Sequence, residues 1–350
     1  MKQNQLILSI LDIFYEKIIS KIDSITDNYG LLDGKMGIAL FLFKYYQLKK
    51  PEKVEEEVGV IVEEVGVIVE DVWEYVNLNY IPYFFFTGHS GIAWSLLWLG
   101  KQKFLEIDDE IVRYLESVDN YLFIQQRNKI PISIDLESGL FTNGIYLLSR
   151  CNLPDMQLYE KYSLKEKTIY MIDECERLLY RKTSSNNIYL PKLTLKLLNS
   201  ILYFLIDTNK LKIYPFKTSI LLKYSCTKIS EVIKHSDIQD ILTLKCLLSD
   251  INEDIGNIDT IITDLNKYIN KHKRHALNAF DVLSESGFYS LVYSNEIIFK
   301  DAYSFIEQQN NNFLDKIIET KTLSLKDLLG IGHCLLEMLN KNAHNDNKTE

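Results

Sequence analysis

Two kinds of apolar segment alternate along the chain. In the first, such as 37–43 and 91–99, nearly every position is apolar, which predicts helices buried on most sides. In the second, such as 106–120 and 160–180, apolar residues recur every three or four positions between charged ones, predicting amphipathic helices with one face in water. The opening run through Leu11, Asp12 and Phe14 reads as another amphipathic helix, and weak strand signals are confined to 128–134 and 187–190. The fully apolar segments repeat. Gly34-Lys35-Met36-Gly37-Ile38-Ala39 returns as Gly88-His89-Ser90-Gly91-Ile92-Ala93 and, loosened, as Gly139 to Gly144 and Ile145, so that the second glycines stand 54 and 53 residues apart. Following that rhythm gives seven anchors, Gly37, Gly91, Gly144, Ser200, Cys246, Gly287 and Gly332, each a small residue ahead of an apolar run. A small residue there admits a close backbone neighbour, and a glycine in the turn before it tolerates unusual dihedrals. Seven buried and seven amphipathic helices in alternation predict an all-α, two-layered ring, with an inner circle around a cavity and an outer circle facing water.

The first interval holds an oddity: Glu56 to Val62 is repeated without change as Glu63 to Val69. A seven-residue copy adds about two helical turns and keeps the same face inward, so it reads as a lengthened outer helix. Residues 1–340 are expected to form one domain, with 341–350 as a polar tail.

Composition narrows the function classes. The net charge of −9 repels phosphate backbones and argues against nucleic acid as a partner. With 14 Gly and 6 Pro in 350 residues, chain breakers are scarce, which agrees with long helices. The longest apolar stretch, Tyr80 to Leu99, is interrupted by Pro82, Gly88, His89 and Gly91, so no membrane span is expected. Five scattered cysteines without a CxxC pair point to free, buried thiols and a reducing, cytoplasmic location. No P-loop, dinucleotide fingerprint or Gly-x-Ser-x-Gly elbow is present.

Seven helical hairpins with Gly-x-x-Gly-Ile-Ala turns resemble the lanthionine synthetase C family, over about Asn28 to Leu339. The resemblance implies an α/α toroid whose zinc ion activates a cysteine thiol of a precursor peptide toward a dehydrated Ser or Thr. It also implies partners: a precursor peptide or a peptide-modifying enzyme. The zinc-ligand motifs do not carry over. Where the family has Trp-Cys-x-Gly and Cys-His-Gly turns, this chain reads Leu242 to Cys246 and Val282 to Gly287. His333 and Cys334 follow the last anchor instead, and adjacent helical residues diverge by about 100°. No metal ligand or other cofactor is therefore assigned. Asp135 matches the family's acid/base aspartate and is the one candidate catalytic residue, whereas the fourth repeat, Leu195 to Ser200, has no histidine.

A capping role for Asp135, about 1 kcal/mol, is the plain alternative to catalysis. If all inner helices start at one end of the ring, their unpaired N–H groups converge on one mouth. Its expected substrate-binding lining includes Asp33, Thr87, His89, Glu137, Asn143, Glu285 and His333, with Lys35 and Thr142 beside them. The leading expectation is a divergent family member, a pseudoenzyme candidate, that binds a precursor peptide or partner enzyme with zinc-dependent cyclase chemistry lost or altered. The alternative is an active toroid enzyme whose mouth carboxylates perform metal-independent peptide chemistry or glycoside cleavage.

Overall fold

The computed structural model describes residues 2–25, 27–49, 55–127, 140–153, 157–180, 193–233, 236, 238–249, 251, 258–272 and 323–346. All regular structure among them is helical. The segments 128–134 and 187–190, with their strand signals, lie outside the described residues, as do Asp135, Glu137, Glu285 and Gly287.

The chain divides into two compact units, residues 1–80 with 275–350, and residues 81–274. In the first unit, α1 (Lys2–Ile19), α2 (Lys35–Lys49), α3 (Glu55–Leu78) and, last in the chain, α12 (Leu325–Asp346) surround one core. α2 is buried along Met36 to Tyr45, as its unbroken apolar run requires. α1 turns Ile7, Ile10, Leu11, Phe14 and Ile18 inward at helical spacing. Ion pairs tie these helices together: Lys44 reaches Glu337 at 2.6 Å and Lys49 reaches Asp12 at 2.8 Å. Tyr45 Oη also donates to Asp12 at 2.5 Å.

The duplicated heptad lies on α3 and behaves as two equal copies. Ile61 and Ile68 are 2% and 5% exposed, while Val60 and Val67 are 51% and 60% exposed. Seven residues is close to two turns, so each copy meets α2 in the same orientation.

The second unit alternates α4 (His89–Lys101), α6 (Leu140–Cys151), α8 (Leu195–Lys210) and α10 (Ile238–Ser249) with α5 (Asp109–Arg127), α7 (Leu158–Leu179), α9 (Pro215–Val232) and α11 (Ile258–His272). The even-numbered helices α4 to α10 pack each on the next and are buried, and α5, α7 and α9 form a second layer. α5 starts at Asp109, later than the apolar period alone suggests, because the Asp108 carboxylate accepts the Ile111 N–H at 2.9 Å and caps it. Thr194 caps α8 in the same way through the Leu197 N–H.

Between α5, α6 and α7 lies a buried polar group. Arg150 Nη2 stands 3.2 Å from Asp119 Oδ2, both nearly inaccessible, and Tyr146 Oη donates to the Leu115 carbonyl at 2.9 Å. Burial pushes the Asp119 carboxyl above its usual range despite the Arg150 charge.

Candidate functional site

The turns that open α2 and α4 are built alike. Lys35 and His89 are the first residues of their helices, and each donates its backbone N–H to a carbonyl seven residues earlier, Asn28 and Pro82, at 3.0 Å. Gly37 donates likewise to Gly30 at 3.1 Å. These N–H groups, expected to be open for a ligand, are satisfied by the preceding loop, which folds back to meet orphan donors that the helix cannot. That fold-back explains the first glycine of each motif. A Cβ on Gly34 would lie 2.5 Å from Asn28 Oδ1 and 2.7 Å from the Gly30 carbonyl oxygen. One on Gly88 would overlap the Pro82 carbonyl oxygen outright. No described glycine has a positive φ, so the demand is for space, not for the dihedral freedom that the sequence suggested.

The side chains match too. Tyr29 and Tyr83 stand eight residues before anchors Gly37 and Gly91. The Lys35 ammonium sits 4.8 Å from the Tyr29 ring, and the His89 ring sits 4.5 Å from the Tyr83 ring. Each tyrosine then stacks on one from the next helix: Tyr29 on Tyr75 at 3.7 Å, and Tyr83 on Tyr121 at 3.5 Å. Lys35 is also paired with Asp71 of α3. Burial works to lower the Lys35 pKa, but Asp71 and Tyr29 outweigh it and the net shift is upward. His89 Nδ1 lies 3.0 Å from Tyr114 Oη, and Tyr114 Oη donates to the His89 carbonyl at 3.3 Å. Both bonds form together when Nδ1–H is the donor to Tyr114, which leaves the Nε2 lone pair unused. Burial lowers the His89 pKa to about 4 and pushes the Tyr114 hydroxyl up, so both are neutral near pH 7.

The other candidates are placed as follows. Asp33 accepts from the Asn28 side-chain amide at 2.6 Å and so helps to shape its own turn. Thr87 is exposed just before Gly88. Asn143 is buried one residue before anchor Gly144, and its Oδ1 accepts no hydrogen bond. The sequence pattern did not single out Asn199, which occupies the same place before Ser200. Asn199 is also buried, its amide donates to the Asp240 carbonyl at 2.8 Å, and its Oδ1 is unpaired. A shared position relative to the anchors was the available signal.

His333 lies more than two turns inside α12, wholly buried against Phe41 at 5.9 Å between centroids. Neither ring nitrogen makes a hydrogen bond of sound geometry. Burial first, and then the Lys44 ammonium, hold its pKa well below the usual histidine range, with the Gly37 backbone opposing weakly. The structure brings Lys35 with Asp71 and Tyr29, and His89 with Tyr83 and Tyr114; it does not bring His333 to a helix start.

A zinc centre needs converging thiolate and imidazole donors. Among the described residues, no group of three His, Cys, Asp or Glu side chains converges on a metal position. The Cys151, Cys175, Cys226 and Cys334 thiols are buried, and burial pushes each pKa up, that of Cys334 to about 12. That is the opposite of a poised thiolate. His333 and Cys334 are successive residues of one helix, so their side chains diverge. The described residues do not fit zinc; the Cys246 side chain and 282–287 lie outside them.

Residues 25–192 match a family described as lanthionine synthetase C-like protein. The fold matches that of a nisin cyclase with a TM-score of 0.60, at 13% sequence identity, over 94% of this chain and 97% of that chain. The fold class is thus all-α, of the α/α-toroid kind. No curated protein matches the chain. No helix among the described residues is long and apolar enough to cross a membrane.

Proposed function

We propose that the chain serves lanthipeptide-type biosynthesis by binding a precursor peptide or its modifying enzyme, with zinc-dependent ring closure lost or altered; the match of residues 25–192 to the lanthionine synthetase C-like family and the fold likeness to a nisin cyclase support this reading. The observation that carries this reading is the state of the described thiols: all are buried and protonated, and none meets an imidazole at a metal position. The polar groups at the first two turns support it as well. Lys35, Asp33 and the His89 Nδ1 are engaged in holding their turns, an arrangement suited to presenting a fixed surface. Free, buried cysteines favour a cytoplasmic site of action.

The test uses a synthetic dehydrated peptide carrying one cysteine and a fluorescent label. Fluorescence anisotropy reports binding, and mass spectrometry after thiol alkylation reports whether the cysteine has been consumed. The proposal expects binding with the thiol still alkylated at the level of a protein-free control, with or without added zinc. Faster loss of the thiol in the presence of the protein and zinc would overturn it.

A further inference from the structure

Helix α9 presents two faces. Leu221, Leu222, Ser225 and Ile229 are buried, yet Phe216 and Ile220 are 78% and 42% exposed. At 100° per residue, positions 216, 220, 223, 227 and 230 fall within about 40° of one line, so Phe216 and Ile220 continue into Lys223, Thr227 and Ser230 as a single outward stripe about 20 Å long. On one side this stripe is closed: Lys217 bonds Asp173 at 2.7 Å and Glu176 at 2.5 Å, and Tyr224 stacks on Tyr180 at 4.1 Å. The Lys217–Asp173 and Tyr224–Tyr180 links each join residues 44 apart, so α7 and α9 run in the same direction there. On the other side α9 and α11 leave a groove of about 460 Å³, floored by Cys226, Ile233, Ile261 and Leu265.

The charges at this groove are uneven. Asp264 on the α11 rim is answered by Lys267 at 3.0 Å, and Lys228 by Glu231 at 2.9 Å. Lys223 has no carboxylate partner among the described residues, which leaves a lone cation beside an apolar groove in a chain of net charge −9. Both walls are helices and offer no free backbone edge to an extended strand, whereas a helix laid beside α9 would bury the stripe and groove together. The groove shares no residue with the turn that opens α4.

We infer that the α9–α11 face docks an amphipathic helix of a partner protein, its apolar side on Phe216, Ile220 and the groove, and a carboxylate facing Lys223. The contact is independent of how the turns at the helix starts handle a peptide. Three labelled helical peptides of about 18 residues test it by fluorescence anisotropy with the full chain: one amphipathic with Leu on one face, Gln elsewhere and a single Glu beside the Leu face, a counterpart with Lys in place of that Glu, and a scramble of the first. The Glu peptide is expected to bind about tenfold more tightly than either control. Lys223→Glu should erase its advantage over the Lys peptide, and Ile220→Glu should weaken it, both with unchanged helicity because the two side chains face solvent. Equal binding of all three peptides, or a preference that survives Lys223→Glu, would overturn the inference. So would a homodimer in sedimentation that Ile220→Glu dissolves, since the face would then belong to a second copy.

Discussion

Replacing Gly88 by alanine separates two explanations of the repeated glycines, because Gly66 offers a matched comparison. At Gly88 the new methyl would overlap the Pro82 carbonyl oxygen and lie 2.8 Å from its carbon and 3.0 Å from the Phe84 nitrogen. That same carbonyl accepts the His89 N–H at 3.0 Å, so the loop cannot withdraw without breaking the bond that starts α4. Losing one buried backbone hydrogen bond removes about 1 kcal/mol, and forcing a methyl into a packed site adds about 1–3 kcal/mol. Gly88→Ala should therefore destabilise by about 2–4 kcal/mol. Gly66 lies inside α3, and a methyl placed there would have no neighbour within 4 Å. There, alanine should stabilise by about 1 kcal/mol through helix propensity alone. Urea unfolding followed by far-UV circular dichroism reads both variants against the parent protein. A Gly88→Ala midpoint equal to that of the parent, or a Gly66→Ala midpoint below it, would refute the close-approach argument.

Other consequences follow from buried charge and from the duplicated heptad. His333 and His89 have pKa values below that of an unfolded chain, so the unfolded state binds more protons as pH falls; stability should be fullest above about pH 6.5 and decline toward pH 4, and His333→Leu should flatten that slope in thermal melts. Asp119→Ala leaves Arg150 buried without its carboxylate and should destabilise by about 3–5 kcal/mol in urea unfolding, whereas Asp173→Ala, at an exposed pair, should stay within about 1 kcal/mol. Deleting residues 56–62 removes two turns of α3 but keeps the Lys35–Asp71 pair and the Tyr29–Tyr75 stack, so circular dichroism should show a folded helical protein weakened by roughly the burial of Ile61, about 2 kcal/mol.

Helical periodicity reveals the architecture because burial repeats with the helix: α2 reads as buried all round and is, and the two heptads of α3 show the same face inward. The anchors carry less information than their wording suggests. Gly37 and Gly91 are third in their helices, but Gly332 is eighth in α12, since local packing and not the repeat decides where each helix begins. Tyr29 and Tyr83 were legible in principle, being spaced like the glycines; their stacking on Tyr75 and Tyr121 was not, because it depends on how α3 and α5 are rotated. The partner of His89 is hidden for the same reason. Tyr114 is 25 residues away, and only the packing of α5 turns its hydroxyl toward the imidazole. The first-turn N–H groups looked open because a sequence does not show a loop folding back to meet them.

A fold like that of a nisin cyclase, whose described side chains do not assemble a zinc centre, underlies the proposed function. Elemental analysis of the full chain, purified without chelator and dialysed against micromolar zinc and then zinc-free buffer, tests that most directly. Far less than one zinc per chain is expected in a folded, helical sample. About one tightly held zinc per chain would contradict the proposal and would restore metal-activated thiol chemistry as the function of this protein.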